Sequence, residues 1–359
     1  MKLSNINRIL VIKYSAIGDL IMSTPAFRSL KKAYPNAKIS LLIGKWSLPI
    51  IENNPNIDEF IVVDDDIFAK KKIAGLLGLI LKLRKNKYDL VISFHRSLAM
   101  SLFSRLVGGR NTLGFDRNGE GRFYSIKTLY DKVNGLHESE KFLELIKEVG
   151  GSDEELKFDF YYKDSEEKRV LEIMKENKLV GNGAVVAFLP GGGVNPSMSF
   201  EQKRWPIENW TKLGDLLKEN MNAKIVTLGS KSEAKICQEA INSMSSKEGV
   251  NDFCGKISLR EASIMLNYVD ILITPDSSLM HVASALNTKT IALFGPTDPK
   301  NYAPPNIKVI KSSRSCSPCY IREGKLPKCK EYSCMKEITP EEVYKQIKEV
   351  YNARKIRKI

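Results

Sequence analysis

The chain has 359 residues, 43% of them hydrophobic and 27% charged, a folded composition that excludes a disordered or fibrous protein and suggests two domains. No run of about 18 apolar residues occurs, so no membrane span is expected; the polar start and the strand-like run behind it give no signal peptide, and a cytoplasmic location is expected. The formal charge of +14 favours acidic partners such as nucleotides or anionic lipid; nucleic acid is disfavoured, because no zinc finger, RNP-type strand or basic arm accompanies it.

In chain order, Arg8–Lys13 reads as a strand and Tyr14–Asp19 as a turn. Leu20–Tyr34 reads as a helix bent or restarted at Pro25. Strands follow at Lys38–Ile43, Phe60–Val63 and Asp89–Phe94, with helices at Leu48–Asn53, Ala69–Lys85 and Leu98–Val107. Asn111–Ile126 is less regular, and Glu138–Val149 is helical. The charge-rich stretches Gly150–Glu155 and Lys163–Lys178 are placed as linker. The pattern then restarts. Strands are expected at Ala184–Leu189, Lys224–Leu228, Val269–Ile273 and Lys289–Phe294. Helices are expected at Ile207–Asn220, Ser232–Met244, Ser258–Leu266 and from near Ser277, with a last helix from Thr339 to about Lys355. Apolar strands alternating with amphipathic helices give an α/β protein: two doubly wound halves in tandem, with ligands expected beyond the carboxyl ends of the strands.

Four turns at such ends carry candidate chemistry. Ser15-Ala-Ile-Gly-Asp19 offers a carboxylate, Asp19, and a close backbone approach at Gly18; Asp19 serves equally as a helix cap. Pro190-Gly-Gly-Gly193 through Lys203-Arg204 combines a glycine loop with two cations, or is a solvated surface loop. It is not a Walker P-loop, and no G-x-G-x-x-G occurs. Gly229-Ser-Lys-Ser-Glu233 offers Glu233 to a ribose, or to a capping box. Asp276-Ser-Ser278, with His281 about one turn on, opens a helix whose free N–H groups suit a diphosphate, or is an ordinary capped helix.

Tyr14-Ser-Ala-Ile-Gly-Asp-Leu-Ile-Met-Ser-Thr-Pro-Ala-Phe-Arg-Ser-Leu-Lys31, Lys203-Arg-Trp-Pro206, Thr274-Pro-Asp-Ser-Ser-Leu-Met-His281 and Leu293-Phe-Gly-Pro-Thr-Asp298 resemble, in order and over nearly the whole chain, family 9 glycosyltransferases, the ADP-heptose:lipopolysaccharide heptosyltransferases. The resemblance implies a GT-B fold, two Rossmann-like domains facing a central cleft. Residues 1–165 would bind the acceptor and 180–335 the nucleotide sugar, with 336–359 a helix crossing back to the first domain. It implies inverting, metal-independent transfer of heptose from ADP-heptose to a lipid-linked glycan such as the lipopolysaccharide core. Asp19 matches the general base and Lys203 a diphosphate-binding lysine. Asp276, Ser277, Ser278 and His281 match the donor loop, with Ser-Ser where many members have Thr-Gly or Ser-Gly. Glu233 falls near a ribose-binding position. Another nucleotide sugar, a protein acceptor, or a non-catalytic nucleotide-sugar-binding protein are the rivals; a base facing the donor has no use in the last.

His95 and Arg96, just past the fourth strand, are placed to touch an anionic acceptor, though His95 serves equally as a surface residue. Ile67–Leu83 mixes lysines with a wide apolar face and reads as a sheet-covering helix that can also rest on the inner membrane. Cys237 and Cys254 read as isolated thiols. Cys316, Cys319, Cys329 and Cys334 follow a C-x2-C-x9-C-x4-C spacing, read either as a structural zinc or iron site, the iron as in related autotransporter heptosyltransferases, or as four unligated thiols. No cofactor is expected for catalysis.

Overall fold

A computed structural model describes residues 3–69, 72–192, 200–320, 329 and 331–352. The chain forms two compact units, Met1–Tyr161 and Tyr162–Ile359. In the first, the strands are β1 (Arg8–Ile12), β2 (Lys38–Gly44), β3 (Glu59–Val63), β4 (Leu90–Ser93), β5 (Asn111–Asp116) and β6 (Ile126–Leu129). In the second they are β7 (Val185–Phe188), β8 (Lys224–Thr227), β9 (Val250–Asp252), β10 (Ile271–Pro275), β11 (Thr290–Phe294) and β12 (Lys308–Lys311). Each unit holds one six-stranded sheet, ordered β3-β2-β1-β4-β5-β6 and β12-β11-β10-β7-β8-β9. The pairings are parallel, as β1 with β2 and β4, and β10 with β7 and β11. Central strands such as β4, β7, β10 and β11 are buried at every residue, because helices cover both faces. In each sheet the strand order reverses once, between β1 and β4 and between β7 and β10, and it is beyond the carboxyl ends at such a point that sheets of this kind bind ligands.

The second unit's core centres on Phe188, Trp205 and Trp210, whose rings lie 5.0 Å apart in the Phe188–Trp210 and Trp205–Trp210 pairs. The Trp205 indole N–H donates to the Ile338 carbonyl at 2.9 Å. The last helix, expected to cross back to the first domain, is described over Pro340–Asn352 and buries Val343 and Ile347 in this core; the expected end near Lys355 lies outside the described residues.

The helix expected from Leu20 is two, Ile17–Met22 and Thr24–Ala33, with Pro25 in the first turn of the second. Ala69–Lys85 is likewise a short helix Asp66–Ala69 and a longer one Ile73–Arg84; Lys70 and Lys71 lie outside the described residues. Two expectations need correction. The linker placed at Lys163–Lys178 is mostly a helix, Asp164–Glu176, tied into the second unit by the Arg260–Glu166 ion pair. The irregular stretch Asn111–Ile126 contains β5 and runs into β6. Gly114 hid the strand: a Cβ there would lie 2.2 Å from the Tyr124 ring, so glycine is what lets the ring cross the strand. β9 and β12 also escaped notice, since they are short sheet edges with polar sequences.

Candidate functional site

In the first unit, β1 ends at Ile12 and delivers Lys13, 3% exposed, at the point where the sheet reverses. Its Nζ lies 2.9 Å from Oδ2 of Asp19. Asp19 occupies the first turn of helix Ile17–Met22, beside the positive end of the helix. The turn before it is strained: Ala16 has φ 68° without being glycine, a conformation that collects at functional sites. Gly18 lies within the same helix turn. Lys13 was missed in the sequence because it ends an apolar strand; its one signal was a charge where burial was expected.

His95 and Arg96 follow β4, the neighbour of β1. The Tyr14 ring stacks between Phe68 and His95, each at 4.2 Å, and the Tyr14 backbone N–H donates to His95 Nε2 at 3.2 Å. Burial pushes the Tyr14 hydroxyl above its ordinary pKa. Arg96 turns inward. Its Nη2 lies 2.8 Å from Glu138 Oε2, and its guanidinium sits over the Phe115 and Tyr130 rings at 4.8 and 5.1 Å. Lys141 shares the same carboxylate at 2.8 Å, so two cations meet one buried Glu138.

In the second unit, the donor-side candidates converge on the ends of β7, β8 and β10. Lys203 Nζ lies 2.6 Å from Asp276 Oδ2 and 4.8 Å from the centre of the Phe200 ring. Burial alone would raise the Asp276 carboxyl; the Lys203 ammonium, with His281 adding to it, outweighs this and holds the group below its ordinary range. Arg204 Nε donates to the Gly191 carbonyl at 3.0 Å and pairs with Glu201 at 3.1 Å. Gly192 has φ 73°, and a Cβ on it would stand 3.5 Å from Arg204 and 3.6 Å from Pro275. A Cβ on Gly191 would lie 2.3 Å from Glu233 Oε1. Glu233 itself accepts from the Ser230 backbone N–H at 2.8 Å and hydroxyl at 2.6 Å, so it completes a capping box and lies against the glycine turn at once. Residues 193–199 of the loop lie outside the described residues.

Asp276 and Ser277 lead into helix Ser278–Ala285, with His281 buried one turn in. The hydroxyl of Ser277 bonds Thr274 Oγ1 at 2.8 Å, and the helix has no side-chain cap bond. The expected cap bond is therefore absent, and Ser277 Oγ meets Thr274 Oγ1 instead. Backbone N–H groups at this helix start suit an anion. Lys203, Arg204, Glu233, Asp276, Ser277, Ser278 and His281 thus belong to the second unit, and Asp19, Gly18, His95 and Arg96 to the first.

The cysteines divide differently from expectation. Cys237 and Cys254 are not isolated: with Asp252 they bring their ligand atoms within 4.8 Å of one another. A hydrogen bond from Cys254, then burial, raises the Cys237 thiol pKa. Asp252 already receives Thr227 at 2.6 Å, the Cys254 N–H at 3.1 Å and Lys256 at 3.0 Å, so the trio is a buried thiol pair beside an engaged carboxylate. Burial, then the charges of the other cysteines among Cys316, Cys319, Cys329 and Cys334, raise the thiols of Cys319 and Cys334. Four thiols are the right donor set for zinc or iron. Among the described residues, however, they are not a group with three ligand atoms within 4.8 Å.

The family model described as glycosyltransferase family 9 (heptosyltransferase) matches residues 76–330, well over half the chain. The lipopolysaccharide heptosyltransferase 3 of Escherichia coli is 27% identical over 284 residues, covering 78% of this chain and 81% of that protein. A family 9 glycosyltransferase structure from Veillonella parvula superposes with a TM-score of 0.83 at 25% identity, covering 99% of both chains. The Escherichia coli ADP-heptose lipopolysaccharide heptosyltransferase II superposes with a TM-score of 0.77 at 23% identity, covering 96% of this chain and 98% of that one. The two sheets are thus those of a GT-B enzyme, and this chain belongs to glycosyltransferase family 9, the heptosyltransferases, whose work is glycosyl transfer in lipopolysaccharide core biosynthesis.

Proposed function

We propose that this enzyme transfers a heptose from ADP-heptose to a sugar hydroxyl of a lipopolysaccharide core or related lipid-linked glycan, with inversion. The observation that carries the reading is Asp19, held by the buried ammonium of Lys13 at the end of β1. A carboxylate fixed there is placed to take the proton of an acceptor hydroxyl. The freed oxygen attacks the anomeric carbon, the bond from that carbon to the diphosphate oxygen breaks with its electron pair, and ADP leaves. The negative charge that develops on ADP is met by Lys203, Arg204 and the backbone N–H groups at the start of helix Ser278–Ala285. Lys203 is held by Asp276 until the diphosphate competes for it. Glu233, beside Gly191, takes the ribose hydroxyls. His95 faces the acceptor, while Arg96, drawn inward by Glu138, supports the wall behind it. No metal or cofactor takes part in the transfer; a zinc or iron ion at Cys316, Cys319, Cys329 and Cys334 would be structural only. The enzyme works in the cytoplasm, where it meets the lipid-linked acceptor at the inner membrane surface.

The test is calorimetric binding of ADP, UDP, GDP and CDP, followed by transfer from ADP-heptose. Preference for ADP with transfer to a core oligosaccharide is the expected result. Preference for UDP or GDP overturns the donor, and nucleotide binding without any transfer overturns the catalytic reading.

A further inference from the structure

Helix Ile73–Arg84 is apolar on every side until Lys82 and Arg84 in its last turn. Leu79, Ile80 and Leu83 enter the core of the first unit, while Ile73, Leu77 and Leu81, spaced by four, stay 73, 56 and 64% exposed. Helix Leu98–Val107 repeats the arrangement. Met100, Phe103 and Val107 face the same core, and Leu98, Leu102 and Leu106 are each 40% exposed. The two helices are neighbours, joined by a bond from Arg84 Nη1 to the Leu106 carbonyl at 3.3 Å. Helices on water carry polar residues on their outer face; here two adjacent outer faces are aliphatic. Six aliphatic residues, each at least 40% exposed, thus share two neighbouring helices, unlike the singly scattered apolar residues of an ordinary surface.

The flanks identify the occupant. Residues 70–87 carry seven Lys and Arg and no Asp or Glu, and Arg105 adds a cation to the second helix. Of these, Lys72 lies 3.5 Å from Asp66 and Lys82 acts on Glu59, so the cations still outnumber the acids beside them. A second copy of this chain set face to face would oppose cations with cations. A surface of anionic phospholipid offers both what the leucines and what the lysines need. We propose that helices Ile73–Arg84 and Leu98–Val107 form a membrane-resting face, with the six aliphatic side chains sunk to the level of the headgroups and the cations on anionic lipid. This deepens the acceptor side of the function proposed above and rests on that reading only for its purpose, which is to bring the first unit to a lipid-linked acceptor.

The experiment is co-sedimentation of the full chain with phosphatidylcholine vesicles, and with the same vesicles containing phosphatidylglycerol, alongside calorimetric ADP binding on the same preparation. Binding at least tenfold tighter to the phosphatidylglycerol vesicles is expected. It should fall at least tenfold in Leu77→Glu with Leu102→Glu. The milder Lys82→Gln with Lys85→Gln alters no apolar contact and should lower binding to the anionic vesicles alone. The proposal is overturned by equal binding of wild type and both variants, by no binding to either vesicle, or by a dimer in solution that Leu77→Glu with Leu102→Glu dissolves. Vesicle binding without ADP binding sinks the donor reading and leaves this one standing; ADP binding without vesicle binding does the reverse.

Discussion

Replacing Lys203 by Met separates what that residue does for folding from what it does for ligand. Asp276 is 7% exposed and has Lys203 Nζ at 2.6 Å. Without the ammonium, a buried carboxylate loses its charge partner, which costs on the order of 3 kcal/mol near neutral pH. The pH dependence follows from the sign of the shift. In the wild type, Asp276 is held below its ordinary value of 3.8, so its contribution is present above that value and is lost only as pH falls through the lower, folded-state pKa. In Lys203→Met, burial acts unopposed by the ammonium and raises the folded-state value, so the variant recovers by taking up a proton as the pH is lowered towards 4. The gap between the two proteins should therefore be widest at pH 7 and shrink by pH 4.5. Urea unfolding followed by tryptophan fluorescence reads it, because Trp205 and Trp210 both lie in the second unit's core and only Trp46 lies in the first unit. Lys203→Met with Asp276→Asn should restore most of the stability and none of the ADP affinity. A gap that stays constant from pH 7 to 4.5, or a double variant that regains ADP binding, would refute the reasoning.

Asp19→Asn should lower transfer by roughly a hundredfold to ten-thousandfold while ADP affinity stays within about twofold, measured by product formation and calorimetry; unaltered turnover would remove Asp19 from the chemistry. Gly191→Ala places a Cβ 2.3 Å from Glu233 Oε1, so it should weaken ADP binding with little change in the melting of the first unit. Gly114→Ala drives a methyl group into the Tyr124 ring and should destabilise the first unit by about 1–3 kcal/mol in urea unfolding. Trp205→Phe removes the donor to the Ile338 carbonyl and should cost about 1 kcal/mol or somewhat more in the second unit.

The sheets were legible because their central strands are continuous apolar runs, β1 as Arg-Ile-Leu-Val-Ile and β10 as Ile-Leu-Ile-Thr-Pro. Periodicity is weakest where a strand is short, polar or broken by glycine, which is why β9, β12 and the Gly114 strand escaped. The candidate site residues stand in the sequence as local motifs at strand ends, and the structure gives them neighbours that sequence distance conceals. Lys13 and Asp19 are six residues apart, but their pairing depends on how the strained turn at Ala16 brings the helix back over the strand end. Lys203 and Asp276 are 73 residues apart. Arg96 read as a contact for an anionic acceptor, yet Glu138, 42 residues on, draws it inward. Cys237 and Cys254 offered no motif, since a helix and the end of an edge strand bring them together.

The two sheets share one strand order, so β1 corresponds to β7 and β4 to β10. After β1 that common position carries a carboxylate and its ammonium partner; after β7 it carries two glycines whose carbonyl is gripped by an arginine. The two mouths thus differ in a handful of residues in the turns following each strand, while the buried strands share one architecture. Changes in which sugars the enzyme accepts should accumulate in those short turns, and a turn exchanged with a relative's should carry its preference along without disturbing the layers beneath.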